Sequence, residues 1–256
     1  MTGLALLPRA FAGLVVLFLI SPLVLCVLFS FSTGLSSAFP IPGLGLHWYK
    51  VISADPQFWQ AVSTTTRITL GCGIAATLIG LMAALGLARL RPRWAVFGLM
   101  LLCLPLMLPP LVLGLSLLTF FTFIGLHPGV PATILAHLVF TQPFVTAVLY
   151  ARVVALDQAA VEAARDLGAS PLRAFLHVTL PAIGTSIVGS LLIAMALSLD
   201  DFVIAFFTTR SNTLSTLIWG MMRTTITPAI NAVGTGIILI TLLITALALL
   251  ITRYRG

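Results

Sequence analysis

The sequence predicts an all-α membrane protein of about six transmembrane helices, and three observations predict it. Of its 256 residues, 60% are hydrophobic and only 7% charged, against roughly 45–50% and about 25% in soluble domains. Apolar stretches close to the ~20 residues that cross a hydrocarbon core recur along the chain. Arginine gathers at alternate connections between them, the pattern of cytosolic flanks. So few charged residues cannot cover a soluble surface, and the chain reads as a single transmembrane domain over residues 1–256.

The first stretch, 10–31, is longer than the apolar region of a signal peptide and no small-residue cleavage site follows it. Leu23-Val24-Leu25-Cys26 also lacks the small residues expected before a lipidated cysteine, so this is a membrane helix. The second and third stretches cover 64–88 and 95–124, and Pro105, Pro109 and Pro110 predict kinks or breaks in the third. The fourth, fifth and sixth cover 131–152, 182–207 and 230–252. Cys26, Cys72 and Cys103 each sit in an apolar run without CxxC spacing and read as small hydrophobes.

One face collects Arg9, Arg89, Arg91, Arg93, Arg152, Arg165, Arg173, Arg253 and Arg255, the other only Lys50, Arg67, Arg210 and Arg223. That asymmetry places both termini in the cytosol, in agreement with an even number of spans. The net charge of +7 is scattered arginine rather than a patch, so membrane topology accounts for it and nucleic acid does not. Connections 32–63 and 208–229 fall outside, and 153–181 falls inside.

The inner connection is the most specific part of the chain. Asp157 can N-cap a short alanine-rich helix, Gly168 can end it in the left-handed conformation, and Ser170-Pro171 can start the next helix. Pro181 is expected to stop the chain before the fifth span. Ala159, Ala160, Ala163 and Ala164 then stand beside Glu162, Arg165 and Asp166 on an elbow whose small side chains permit close docking. The same pattern also suits an amphipathic connection lying on the membrane.

Glu162-Ala163-Ala164, Gly168 and Val178-Thr179-Leu180-Pro181 resemble the EAA…G…I-x-LP loop of bacterial ABC importer permeases, with Val178 in place of the commoner isoleucine. The resemblance implies the type I ABC importer permease fold, in which this loop forms the cytosolic coupling helix seated in a cleft of an ATPase subunit. It marks Glu162, Ala163, Ala164, Gly168, Leu180 and Pro181 as coupling positions. It also implies the partners: a dimer of ATPase subunits, a second permease chain and a periplasmic or surface-tethered solute-binding protein. No GxxxxGK[ST] phosphate loop occurs in the sequence, so no cofactor is expected on this chain, ATP-Mg belongs to the partner ATPase, and the chain is not itself an enzyme.

Ser198-Leu199-Asp200-Asp201-Phe202 and Thr227-Pro228-Ala229-Ile230-Asn231-Ala232 are similar to the polyamine branch of that family. A carboxylate within a span costs about 2.5–3.5 kcal/mol on insertion scales, so Asp200 and Asp201 suggest an electronegative site for an ammonium group. They could equally be a helix-end pair, solvated or tied to Arg210 or Arg223. On a continuous helix they would point about 100° apart, and Asp200 is favoured as the one facing the pathway. Ser198 is a nearby hydrogen-bonding candidate. Trp48, Tyr49 and Trp59 in the first outer loop could stack on a cation or anchor the interface, and Trp48 resembles a position linked to substrate passage in the polyamine relatives. His137, Gln142 and Asn231 read as interhelical hydrogen-bonding residues.

Polyamine permeases commonly carry an acidic residue after the proline of the third span, where this chain has Pro109-Pro110. Either another permease subunit supplies that charge, or the solute carries a single ammonium, as an amino acid-like or aminophosphonate-like compound does. An ion-coupled secondary transporter or channel is the alternative class, but no inverted repeat is visible and the elbow would lack a purpose.

Overall fold

The structure, a computed structural model, describes residues 3–224 and 226–253, with side-chain surroundings for Arg9, for Ala246 and for residues between Phe11 and Leu243 other than Thr225. Arg255 and the side chain of Arg253, counted above toward orientation, lie outside the described residues. The helices are α1 (Gly3–Ser30), α2 (His47–Ser53), α3 (Pro56–Leu87), α4 (Pro92–Cys103), α5 (Pro110–Phe123), α6 (Val130–Val154) and α7 (Gln158–Asp166). They continue as α8 (Pro171–Ala174), α9 (Leu180–Ala182), α10 (Gly184–Asp200), α11 (Val203–Thr208), α12 (Leu214–Thr224) and α13 (Pro228–Arg253). Two compact units result: residues up to Trp59 with Leu217–Leu243, and Gln60–Thr216.

Among the described residues three helices are long and apolar enough to cross a membrane: α1 over Phe11–Ser30, α3 and α6. The expected third and fifth spans are each interrupted. Between Pro92–Met107 and Pro110–Phe123 the chain bends by 97°. The cause is local, because a residue before proline is driven out of the helical region: Leu108, before Pro109, has ψ 140°, and Pro109, before Pro110, has ψ 136°. The fifth stretch, 182–207, is not one helix. It ends at Asp200, Asp201 turns extended (φ −67°, ψ 125°), and α11 begins at Val203. An aspartate favours such a break because its carboxylate can bond backbone N–H groups that a helix start leaves free.

Helix α3 begins earlier than the apolar window 64–88. Pro56 occupies its first turn and the Asp55 side chain accepts the Gln57 N–H at 2.8 Å, so capping chemistry adds polar turns to the apolar run. In the larger unit α3, α6 and α10 share a core of Ala76, Ala84, Val145, Leu149, Val153, Ile183 and Ala194. Without a hydrophobic drive between helices in lipid, close approach over small residues holds such a bundle. A Cβ on Gly73 would lie 2.6 Å from Met195, and one on Gly80 2.6 Å from Val145. A second cluster, Leu113, Phe121, Ala132, Ala136 and Ile204, binds α5 and α11 to α6.

In the smaller unit the exposed apolar surface of α1 suits lipid, and polar contacts tie down its last turn and the loop that follows. Ser30 and Tyr49 hydroxyls meet at 2.7 Å, and Asn231 on α13 donates to Ser37 at 2.6 Å. Cys26 stays a free thiol, as do Cys72 and Cys103.

Candidate functional site

Two regions carry polar chemistry, the elbow and a cluster at the break after α10. In the elbow, Asp157 accepts the Ala159 N–H at 2.9 Å and opens α7. Gly168 closes it at φ +87°. The Gly168 N–H reaches the Arg165 carbonyl at 2.9 Å and the Ala169 N–H the Ala164 carbonyl at 3.0 Å, the paired bonds of a Schellman cap. Ser170 accepts the Arg173 N–H at 3.3 Å with Pro171 in the first turn of α8. The chain then passes through a π-helical turn, Phe175–Thr179, and bends by 65° between Ala182 and Gly184. Pro181 itself remains within α9, so the stop falls two residues later than the proline.

Glu162, Ala163, Gly168 and Pro181 are exposed, while Ala164 and Leu180 are half-buried. Leu167 beside the cap is 90% exposed. A short helix presenting alanines, the carboxylates of Glu162 and Asp166 and an unprotected leucine is chemically a docking surface, held in shape by its caps. It is fastened to the bundle where Arg152 at the end of α6 donates to the Ala182 carbonyl at 2.8 Å.

The second region lies wholly within the larger unit. Thr65, Ile68 and Thr69 of α3, His137 of α6, Ser198 and Leu199 of α10, Asp201, Ala205, Thr213 and Ser215 line one small cleft, with no room for a water molecule. His137 is 1% exposed. Its Nδ1 is 2.8 Å from the Ser198 hydroxyl, and its Nε2 is 3.4 Å from Asp201 Oδ2. That last contact lies within ion-pair range but misses hydrogen-bond alignment, so Nε2 has no hydrogen-bond partner. Asp201 Oδ2 also accepts the Ala205 N–H at 2.9 Å, and the Asp201 carbonyl accepts from the Ser215 hydroxyl at 2.9 Å. Asp200 is exposed at the end of α10, and its carboxylate makes no hydrogen bond or ion pair among the described residues.

Ser198 and Asp201 therefore meet, whereas Asp200 points elsewhere and neither aspartate pairs with Arg210 or Arg223 among the described residues. Trp48 belongs to the smaller unit, where it is buried and its Nε1 donates to the Gly34 carbonyl at 3.2 Å. Trp59 donates likewise to the Ser53 carbonyl at 2.9 Å. Gln142 behaves as an interhelical residue, reaching the Ala76 carbonyl at 3.4 Å. His137 does so too, but it also belongs to the aspartate cluster. The available signal was the three-residue separation of Ser198 and Asp201, which lets both approach one side chain of a neighbouring span.

Residues 76–255 match the family described as binding-protein-dependent transport system inner membrane component. The chain is 36% identical over 228 residues to the putrescine transport system permease protein PotI of Escherichia coli strain K12, across 85% of this chain and 80% of that one. It is 32% identical to the spermidine/putrescine transport system permease protein PotC of Haemophilus influenzae, across 96% of each. A crystal structure of a bacterial ABC transporter involved in alginate import shares its fold with a TM-score of 0.71 at 17% identity, covering 97% of this chain and 95% of that one. The inward-facing MetNI methionine ABC transporter gives 0.64 at 18% identity, covering 79% and 99%.

Proposed function

The chain belongs to the family of binding-protein-dependent transport system inner membrane components, and from that membership we propose that it forms half of the translocation pathway of an ABC importer for a polyamine-like cation. The observation that carries the substrate reading is the break after α10, where two carboxylates stand at the end of an otherwise apolar helix. A broken helix can expose unpaired polar groups at membrane depth only where they face protein or a water-filled path. Asp200 is the open carboxylate there, and Asp201 is the one fixed in place, with Ser198 beside it. Trp48 bears on passage by shaping the outer segment rather than by stacking freely on solute.

In this reading the termini and the elbow lie in the cytosol, and α7 docks a separate ATPase dimer that holds ATP-Mg. A second, homologous permease chain completes the pathway, and a periplasmic binding protein delivers solute to the opposite side. Glu162, Ala163, Ala164 and Gly168 form the docking face, while Leu180 and Pro181 lead its motion into α10. Closure of the ATPases moves the elbow as a body, and the bundle opens by a two-state motion. Pro110 opens α5 at the position where the resemblance to polyamine permeases implies an acid, and in this reading the second permease chain supplies the charge for a second amine.

The test is reconstitution of the complete transporter with its binding protein in proteoliposomes. Labelled putrescine should enter only with ATP inside, and excess spermidine should compete better than an amino acid or an aminophosphonate. Entry without the ATPase would defeat the importer reading. Stronger competition by the mono-ammonium solutes would defeat the polyamine reading alone.

A further inference from the structure

The segment joining α1 to α2 carries no charge: from Ala10 through Tyr49 the chain has no Asp, Glu, Lys or Arg. Within it Leu35, Phe39, Leu44 and Leu46 are between 57% and 80% exposed. Water is a poor solvent for such a set, and exposed apolar side chains that cluster mark contact with protein or with membrane.

Geometry favours the membrane. The segment folds on itself at the end of α1, where the Thr33 N–H donates to the Gly43 carbonyl at 3.0 Å and the Gly45 N–H to the Phe31 carbonyl at 2.7 Å. Its tip turns back onto the helix ends instead of reaching out toward an arriving protein. The Phe39 ring lies 5.0 Å from that of Phe29 in the last turn of α1, and Ser37 accepts from Asn231 in the first turn of α13 at 2.6 Å. Phe29 and Asn231 both fall inside the apolar stretches 10–31 and 230–252. The segment is therefore level with the ends of two spans, where hydrocarbon gives way to headgroups. Irregular backbone near that depth needs partners. Ser32 Oγ accepts the Gly34 N–H at 3.1 Å, the Gly34 carbonyl accepts from Trp48 Nε1, and Pro40 and Pro42 have no N–H to satisfy. Lys50 and the exposed Trp59 follow, residue types that collect at a membrane boundary.

We propose that residues 32–46 form an interfacial lipid anchor: Leu35, Phe39, Leu44 and Leu46 enter the acyl boundary of the outer leaflet, continue the lipid-facing surface of α1 and fix the depth of its outer end. The inference needs α1 and α13 to be spans and is independent of the solute.

The experiment places a nitroxide at Leu35→Cys, Phe39→Cys or Gln57→Cys as the only cysteine of the complete transporter, with Cys26, Cys72 and Cys103 replaced by alanine, in phosphatidylcholine vesicles. Oxygen, which concentrates in lipid, and a water-soluble nickel chelate then report which medium surrounds the label. The ratio of oxygen to nickel access should be several-fold higher at 35 and 39 than at 57, and adding the solute-binding protein should leave it unchanged. A ratio at either position like that at 57 would put the segment in water and overturn the anchor. Nickel access that the binding protein abolishes would overturn it in favour of a docking surface, and low access to both reagents would do so in favour of burial against the second permease chain. If the cysteine replacements prevent assembly, Leu35→Trp with the native cysteines decides: the added emission should be quenched by brominated acyl chains and not by iodide, and the reverse overturns the proposal. No step requires transport, so failure here and failure of the polyamine reading are separate results.

Discussion

The guanidinium of Arg152 donates through Nη2 to the carbonyl oxygen of Ala182 at 2.8 Å, joining the end of α6 to the exit of the elbow. The last carbonyls of a helix lack partners within it, and Ala182 ends α9 where the chain bends by 65° into α10. One side chain thus satisfies a stranded carbonyl and makes the bend rigid. In the proposed coupling, motion of α7 reaches α6 and α10 together through this bond. Arg152→Ala should leave the protein folded but lower solute moved per ATP hydrolysed by roughly threefold to tenfold, with Arg152→Lys between. An unchanged ratio would show that α10 alone carries the motion.

Gly168 has φ +87° and open space around the position of a Cβ. A substitution there meets no clash, only the left-handed backbone, which costs an ordinary residue about 1–2 kcal/mol. Gly168→Val should therefore loosen the Schellman cap and the angle between α7 and α8. ATP hydrolysis should continue while uptake falls, and Gly168→Asn should do less harm because asparagine tolerates that conformation. Equal transport by the valine variant would remove the cap from the coupling path.

The packing of α3 on α6 offers a stability test with an internal control. A Cβ on Gly80 would lie 2.6 Å from Val145 Cγ1 and 3.2 Å from Gln142 Nε2, whereas one on Gly86 would meet nothing within 4 Å. Gly80→Ala should destabilise by about 1–3 kcal/mol through overpacking. Gly86→Ala should be neutral or stabilising by about 0.5–1 kcal/mol through helix propensity. Thermal unfolding in detergent should rank them in that order, and an unchanged melting temperature for Gly80→Ala would mean that the interface yields.

What could be read from the sequence divides by the range of the interaction. The caps at Asp157, Gly168 and Ser170 depend on neighbours within four residues, and the structure forms each as the residues suggested. The prolines announced the break before α5 for the same reason. Hydropathy, however, averages over a window, so it ran 182–207 together although Asp201 ends the helix by bonding the Ala205 N–H. Once Asp201 leaves the helix, the angular argument that favoured Asp200 no longer applies to the pair. His137 stayed ambiguous because its partner Ser198 lies 61 residues away, a separation that composition and periodicity do not span.

Asp201 has two duties that substitution can separate. Its carboxylate holds the start of α11 through the Ala205 N–H, and it supplies a negative charge in the larger unit. Asparagine keeps an oxygen that can accept that bond but removes the charge; alanine removes both. Asp201→Asn should therefore be recovered with a melting temperature close to native and lose at least about tenfold in putrescine uptake, since one charge-assisted bond is worth about 1.5–3 kcal/mol. Asp201→Ala should lose uptake and, in addition, about 1 kcal/mol of stability from the missing cap. Asp200→Asn, at an exposed carboxylate without a structural partner among the described residues, should leave the melting temperature unchanged, so any fall in its uptake reports charge alone. If Asp201→Asn transports normally and only the alanine variant fails, the carboxylate is a structural stop for α10, and the cation path must be sought at Asp200.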